Sequence, residues 1–360
     1  MESKPDIWFR EAFYELIDIA REETATAVNV TSDNLVLLEN ASAAVNGIFR
    51  SLDLVEGEIF IYFSTAYGMV KHTAQWLMET RGIRIIEIPV ILPIVDDEFS
   101  YCEPLRSTLN GLTPTEKAKV RIVTFSHLSS VPAFLEPIKL LTNIVKDSNP
   151  NSLVLVDGAH ALGQIPIDIP SLGPIDYYLS NAHKWLYAPK GSCFLWTNPK
   201  NINALHPQPT VISSENDVLT EGGMPYLRRF AYTGTKDFTG YISISDAFKF
   251  REMLGGDEVI NGYTHELARS AGDYLVGLWG TGRLSPQSYE ANLFNIVLPT
   301  SSLTKAVDCV EKLYETEGIY MLALKDELSG IVYSRFSSQI YLEMSDFVRV
   351  GELVKRELMD

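Results

Sequence analysis

Cysteine is scarce in this 360-residue chain. It has three, Cys102, Cys193 and Cys309, in no CxxC spacing. An odd, sparse set argues against a disulfide framework and against a zinc site. Long apolar runs are also missing. The most apolar stretch, Ile83 to Val95, holds Arg84, Glu87, Pro89 and Pro93 and is too short and interrupted to span a bilayer. The start, Met1-Glu2-Ser3-Lys4-Pro5-Asp6, has no apolar core of a secretory signal. A cytoplasmic protein is expected, and two N-x-[ST] matches (at Asn29 and Asn40) are then chance. Positive charge is in deficit: 30 Lys and Arg against 46 Asp and Glu give a formal net charge of -16. Such a surface repels phosphate backbones, so nucleic acid is not an expected partner. A small anionic ligand fits only at a locally positive site. There is no internal repeat and no low-complexity segment.

What remains is an ordinary globular composition, 46% hydrophobic and 21% charged. Strand-like runs alternate with helical ones: strands at 34–38, 58–63, 83–88, 120–125 and 153–156, helices at 43–52, 69–81 and 137–145. Alternation of this kind predicts βαβ units and an α/β fold with a mostly parallel central sheet flanked by helices. Residues 198–226, rich in Pro, Asn, Ser and Gly, read as a long loop. A helix is expected over 239–254. After Gly255-Gly256 a βαβ-like tail (strand 293–298, helix 303–316, two strand runs, a closing helix) reads as a smaller C-terminal α/β domain. The expected divisions are 1–25, a helical N-terminal segment; 26–254, the large domain; and 255–360, the small one.

Two residues point to one chemistry. Asp157 closes the apolar run Leu153-Val154-Leu155-Val156, and Lys184 follows the run Ile175 to Leu179 within Ser180-Asn181-Ala182-His183-Lys184-Trp185. Ligands of parallel sheets sit at the carboxyl ends of strands. Pyridoxal phosphate (PLP) needs an amine for its aldehyde and an acid for its ring nitrogen. Alone, Asp157 reads as a cap of the next turn, and Lys190 competes with Lys184. Lys184 is favoured because it directly follows a strand, whereas Lys190 enters one. Asn40-Ala41-Ser42-Ala43-Ala44 joins a strand to a helix whose first N–H groups could meet a phosphate, though an N-cap serine looks the same. Tyr67, in Ala-Tyr-Gly, either stacks on a ring or packs in the core. His127 and His160, two of six histidines, also fall at strand ends.

The motifs Asn-Ala-Ser-Ala-Ala-Val-Asn, Ala-Tyr-Gly, Ser-His, Asp-Gly-Ala-His, His-Lys-Trp, Gly-Thr-Lys-Asp and Arg-Phe-Ser-Ser-Gln-Ile-Tyr occur in this order. From about Asp6 to the C-terminus the chain resembles the class V aminotransferases. It is most similar to their isopenicillin-N-epimerase-like branch, which includes cysteine desulfhydrases and hercynylcysteine sulfoxide lyases. The resemblance implies fold type I of the PLP-dependent transferases. It implies that Lys184 bonds covalently to PLP, that Asp157 pairs with the pyridine nitrogen, and that His160 supports the ring. Tyr67 takes the stacking place and His127 the place near the phenolic oxygen. Ala41 (backbone), Ser42, Asn181 and His183 are implied to hold the phosphate. Gly234-Thr235 would complete the phosphate site of a neighbouring subunit in a homodimer. Arg335 is implied to bind the α-carboxylate of a small amino-acid substrate.

Two departures shape the expected reaction. Relatives begin with a further segment bearing an Asn/Gly-rich substrate loop, and nothing like it precedes Trp8-Phe9-Arg10, so an open substrate side is expected. Desulfurases of this fold carry a mobile cysteine in the C-terminal domain, whereas Cys309 lies in a helical stretch. The expectation is therefore C–S cleavage by β-elimination. Epimerisation or transamination is the alternative, and a non-catalytic PLP-fold protein a third.

Overall fold

The computed structural model describes residues 3–202 and 225–359. Most of the expected loop at 198–226 thus lies outside the described residues; a one-turn helix, Pro199–Ile202, precedes that stretch and the helix Pro225–Ala231 follows it. Seven strands form the main sheet: β1 Leu35–Leu38, β2 Ile59–Phe63, β3 Arg84–Ile88, β4 Val120–Ser126, β5 Leu153–Asp157, β6 Tyr177–Asn181 and β7 Cys193–Thr197. Their order is β1-β7-β6-β5-β4-β2-β3. The pairs among β3, β2, β4, β5 and β6 are parallel, and β7 runs antiparallel to both neighbours. Helices cover both faces, so the inner strands are buried along their length and read as continuous apolar runs. The edge strand β3 instead carries Arg84 and Glu87 in exposed positions, which discourages pairing with another chain.

The helix Phe13–Ala27 is part of this core rather than an appendage. Phe13, Ile17, Ala20 and Ala25 are buried with Leu35, Phe63 and Phe125.

The C-terminal region corrects one expectation. Strands β8 Leu293–Val297, β9 Leu324–Lys325 and β10 Val332–Ser337 form a sheet in the order β8-β10-β9, antiparallel throughout. It is not βαβ-like. The chain leaves β8 through the helix Leu303–Glu317, makes the two-residue edge strand β9, then turns back so that β10 fills the middle. Runs of apolar residues carry no information about strand direction, so a parallel and an antiparallel tail look alike in the sequence. The expected helix at 239–254 is likewise two, Thr239–Ile242 and Ile244–Met253, joined at Ser243. The second core gathers Leu275 and Trp279 of the helix Gly256–Trp279, Phe294 and Phe336 of the sheet, and Phe347 of the helix Met344–Leu358.

Polar side chains dock the small sheet onto the loops at the carboxyl ends of the large one. Gln164 Oε1 accepts from Asn292 N (2.8 Å) and Leu293 N (3.1 Å). Asn295 donates to Ala133 O (2.8 Å) and accepts from Ala133 N (3.1 Å). No helix among the described residues is long and apolar enough to cross a membrane.

Candidate active site

Register brings the strand ends together. Ser126 of β4 lies opposite Asp157 of β5, and Asp157 opposite Leu179 of β6. β6 ends at Asn181, and the chain turns at once into the short helix Ala182–Trp185 that carries Lys184. Two glycines permit the close approach. A Cβ on Gly158 would lie 2.4 Å from Tyr178 Oη, and one on Gly163 would lie 2.5 Å from the Trp185 backbone.

A cavity of about 190 Å³ opens over these ends, lined by Ser42, Tyr67, Ser126, Asp157, His160, Asn181, His183 and Lys184 among others. Asn40 caps the helix Ala41–Ser51 by accepting from Ala43 N at 2.9 Å. Asn181 Oδ1 accepts from Ala41 N at 2.9 Å. That bond ties the helix start to the end of β6 and already uses the Ala41 N–H, so the expected backbone contact of Ala41 to a phosphate is taken up by Asn181, while Ser42 lines the cavity.

The histidines have readable protonation. Ser192 N donates to His183 Nδ1 at 3.2 Å. A backbone N–H only donates, so a neutral His183 carries its proton on Nε2 and can donate there. Burial lowers its pKa. Lys184 Nζ lies 2.9 Å from His160 Nε2, and Trp185 Nε1 donates to His160 Nδ1 at 3.3 Å. Burial lowers the pKa of Lys184, with Asp157 partly opposing the shift. Burial, Lys184 and Arg335 together push His160 well down. Asp157 is fully buried and accepts from Ala159 N at 2.9 Å; burial raises its pKa against that bond and Lys184.

Lys190 is exposed and donates to His183 O at 3.0 Å, away from the cavity, so Lys184 is the lysine in place. Tyr67 stands half-exposed at the rim. Three expected residues do not line the cavity. His127 turns Nδ1 to Tyr178 Oη at 2.8 Å, beneath the floor, and burial pushes its pKa down to about 4. Thr235 is exposed and bonded to Tyr232 Oη at 2.6 Å. Arg335 reaches the cavity wall by donating to Ser130 O at 2.9 Å, while its buried Nε has no partner. A separate cavity of about 350 Å³, walled by Tyr320, Leu322 and Phe336, lies on its other side.

Sequence reasoning missed Tyr178, Trp185, Ser126, Ser130 and Glu136. Glu136 is buried, accepts from Ser126 N (3.0 Å) and Thr65 Oγ1 (3.2 Å), and burial raises its pKa to about 8. Only Trp185 had a visible signal, its place directly after Lys184.

The class-V aminotransferase family matches residues 8–323. The chain belongs to that family. Its curated relatives include the hercynylcysteine sulfoxide lyase of Schizosaccharomyces pombe, 25% identical over 98% of this chain and 87% of the relative. The L-cysteine desulfhydrase of Arabidopsis thaliana is 27% identical over 94% of this chain and 76% of its own length. The isopenicillin N epimerase of Streptomyces clavuligerus is 28% identical over 92% and 82%. Among solved structures, the cystine C–S lyase C-DES with its product cysteine persulfide matches with a TM-score of 0.77. It is 19% identical over 96% of this chain and 87% of that one. The seven-stranded sheet is thus the fold type I of PLP-dependent enzymes, as expected. In this class-V aminotransferase family member all three cysteines are buried, and burial raises each thiol pKa.

Proposed function

We propose that this chain is a PLP-dependent lyase that cleaves the C–S bond of a cysteine derivative by β-elimination, giving a keto acid and ammonia. The juxtaposition of Lys184, His160 and Asp157 at adjoining strand ends carries the reading. The donor set fits the cofactor: an amine, a buried acid, and a Ser/Asn/His group for a phosphate. Bound PLP supplies an aldehyde and a pyridinium ring that takes up the electrons of an α-carbanion.

Asp157 holds the proton at the pyridine nitrogen. Its burial strengthens that bond, because a carboxylate with raised proton affinity shares the proton more evenly. Ser42, Asn181 and the Nε2–H of His183 hold the phosphate. Tyr67, at the rim, would stack on the ring, and His160 would support the ring or its substituents. His127 acts from below, through Tyr178. Lys184 would hold the cofactor and would serve as the base for the substrate's α-proton, a task suited to a lysine whose pKa burial lowers. Arg335 receives the α-carboxylate, which gives its Nε a partner. Sulfur as the leaving atom rests on the relatives named for desulfhydrase and sulfoxide lyase activity. Buried, unreactive cysteines disfavour a persulfide-forming desulfurase.

The reading includes a homodimer acting in the cytosol, with Thr235 serving the neighbour's phosphate site, since it is exposed and off its own cavity. Sedimentation with PLP tests this: a monomer that still binds PLP removes Thr235 from the site.

The deciding experiment adds PLP and a panel of cysteine conjugates and measures keto acid and released thiol. Lys184→Ala should lose the visible band of lysine-bound PLP and slow turnover by roughly 10²–10⁴-fold or more. Inversion at the α-carbon with no change of mass would establish the epimerase alternative instead. A stable lysine-bound PLP with no product from any amino acid would sink the lyase reading.

A further inference from the structure

We propose that Trp185 sets the tautomer of His160 and thereby holds Lys184 as the neutral amine that captures an aldehyde. Trp185 is a positioning residue in this scheme and touches no reactant. The inference rests on the PLP reading above for the identity of the aldehyde, and on geometry alone for the state of the lysine.

The indole N–H can only donate, and it donates to His160 Nδ1 at 3.3 Å. Nδ1 is therefore an acceptor, and a neutral His160 must carry its proton on Nε2. That proton points at Lys184 Nζ, 2.9 Å away. An ammonium there would set donor against donor. A neutral amine accepts the Nε2–H and completes the chain Trp185 to His160 to Lys184. Turning the imidazole over would lose both bonds, so the ring orientation is fixed twice.

The surroundings agree. Trp185 is buried, which keeps water from replacing its N–H. Around Lys184 stand the Asp157 carboxyl, the Cys193 thiol and the cations Arg335 and Lys190. Burial first, then Arg335 and Lys190, disfavour an ammonium, and Asp157 favours one. The Nε2–H of His160 adds a directed contact on the side of the neutral amine. Capture then needs no prior deprotonation. Nζ turns away from the His160 Nε2–H, which frees its lone pair to attack the aldehyde carbon; a carbon–nitrogen double bond forms, and the aldehyde oxygen leaves as water with both amine protons.

Two measurements test this. In ¹⁵N-histidine-labelled wild-type protein without PLP, NMR should report His160 protonated on Nε2. A proton on Nδ1 overturns the proposal and needs no variant. In Trp185→Phe, His160 is free to move its proton to Nδ1 and accept from an ammonium. The pH midpoint for covalent labelling of Lys184 by a small amine reagent should then rise by about one unit, and PLP capture near neutral pH should slow about tenfold. At high pH the two proteins should capture PLP equally, which a merely loosened site would not do. An unchanged midpoint in folded Trp185→Phe overturns the proposal. If wild type shows the Nε2 tautomer and Trp185→Phe the raised labelling midpoint, but wild type captures no PLP, the cofactor reading fails and the Trp185 assignment stands.

Discussion

At the scale of single residues, the site depends on what is absent as much as on what is charged. Gly158, next to Asp157, lets the backbone pass against Tyr178: a Cβ there would lie 2.4 Å from Tyr178 Oη, 2.6 Å from Cζ and 2.8 Å from Leu179 O. Neither backbone nor a buried ring yields cheaply. Gly158→Ala should cost about 1–3 kcal/mol by urea denaturation, as overpacked cores do. It should also weaken PLP binding, because Asp157 must shift. Wild-type stability in that variant would remove Tyr178 as a rigid floor. The sequence made Asp157, Lys184 and His160 legible because a known cofactor demands an acid and an amine, and apolar runs place both at strand ends. It could not make Tyr178 or Glu136 legible. One is an aromatic residue inside a strand, the other an acid in a loop, and only folding brings them beneath the cavity.

At the scale of elements, the question is what holds the short helix Ala182–Trp185 in place, since four residues make no stable helix alone. Arg251, on the helix Ile244–Met253, supplies the brace. Its guanidinium is buried and donates to Trp185 O and Gly163 O, both at 2.9 Å. It also stacks on Tyr187 at 5.1 Å and bonds the more exposed Asp257 at 2.5 Å. A planar fork serves two carbonyls at once, which an ammonium does not. Arg251→Met should destabilise the protein by about 2–4 kcal/mol, mainly through two buried carbonyls left unpaired. PLP affinity should fall with it, and Arg251→Lys should recover little of either. Denaturant midpoints and a PLP titration of the visible band check this; full rescue by lysine would show that charge, not the fork, is what matters. The parallel core strands were legible from their apolar runs, with ends one or two residues off. The antiparallel course of β7 and of the C-terminal sheet was not, because strand direction is set by connections and docking rather than by local pattern. Arg335 shows the consequence: it stands at the cavity wall only because β10 is the middle strand, with Asn295 of β8 as its partner.

At the scale of the whole molecule, two buried groups set opposite limits on stability. His127 has its pKa lowered by burial to about 4, so the unfolded chain binds its proton first as pH falls. Stability from this group is complete above the unfolded value of about 6.5 and is lost as pH drops towards 4. Glu136 is the reverse case. Its pKa is raised to about 8, chiefly by burial and also by Asp157, so the folded chain keeps a proton that the unfolded chain releases near pH 4.5. Its cost is absent below about pH 4.5 and grows as pH rises to about 8. The protein should thus lose stability on both sides, with the alkaline limb belonging to Glu136. Glu136→Gln keeps one oxygen to accept from Ser126 N and turns its amide NH2 to Thr65 Oγ1, which then accepts, and it has no proton to release. Urea midpoints of the two proteins should be similar near pH 5 and separate by an amount worth several kcal/mol at pH 8, the variant being more stable. Parallel pH profiles would mean that Glu136 stays charged, and that two carboxylates, not one, lie beneath the cofactor cavity. That outcome would also change the expected partner of the pyridine nitrogen, since a charged Glu136 would press Asp157 to hold a proton of its own.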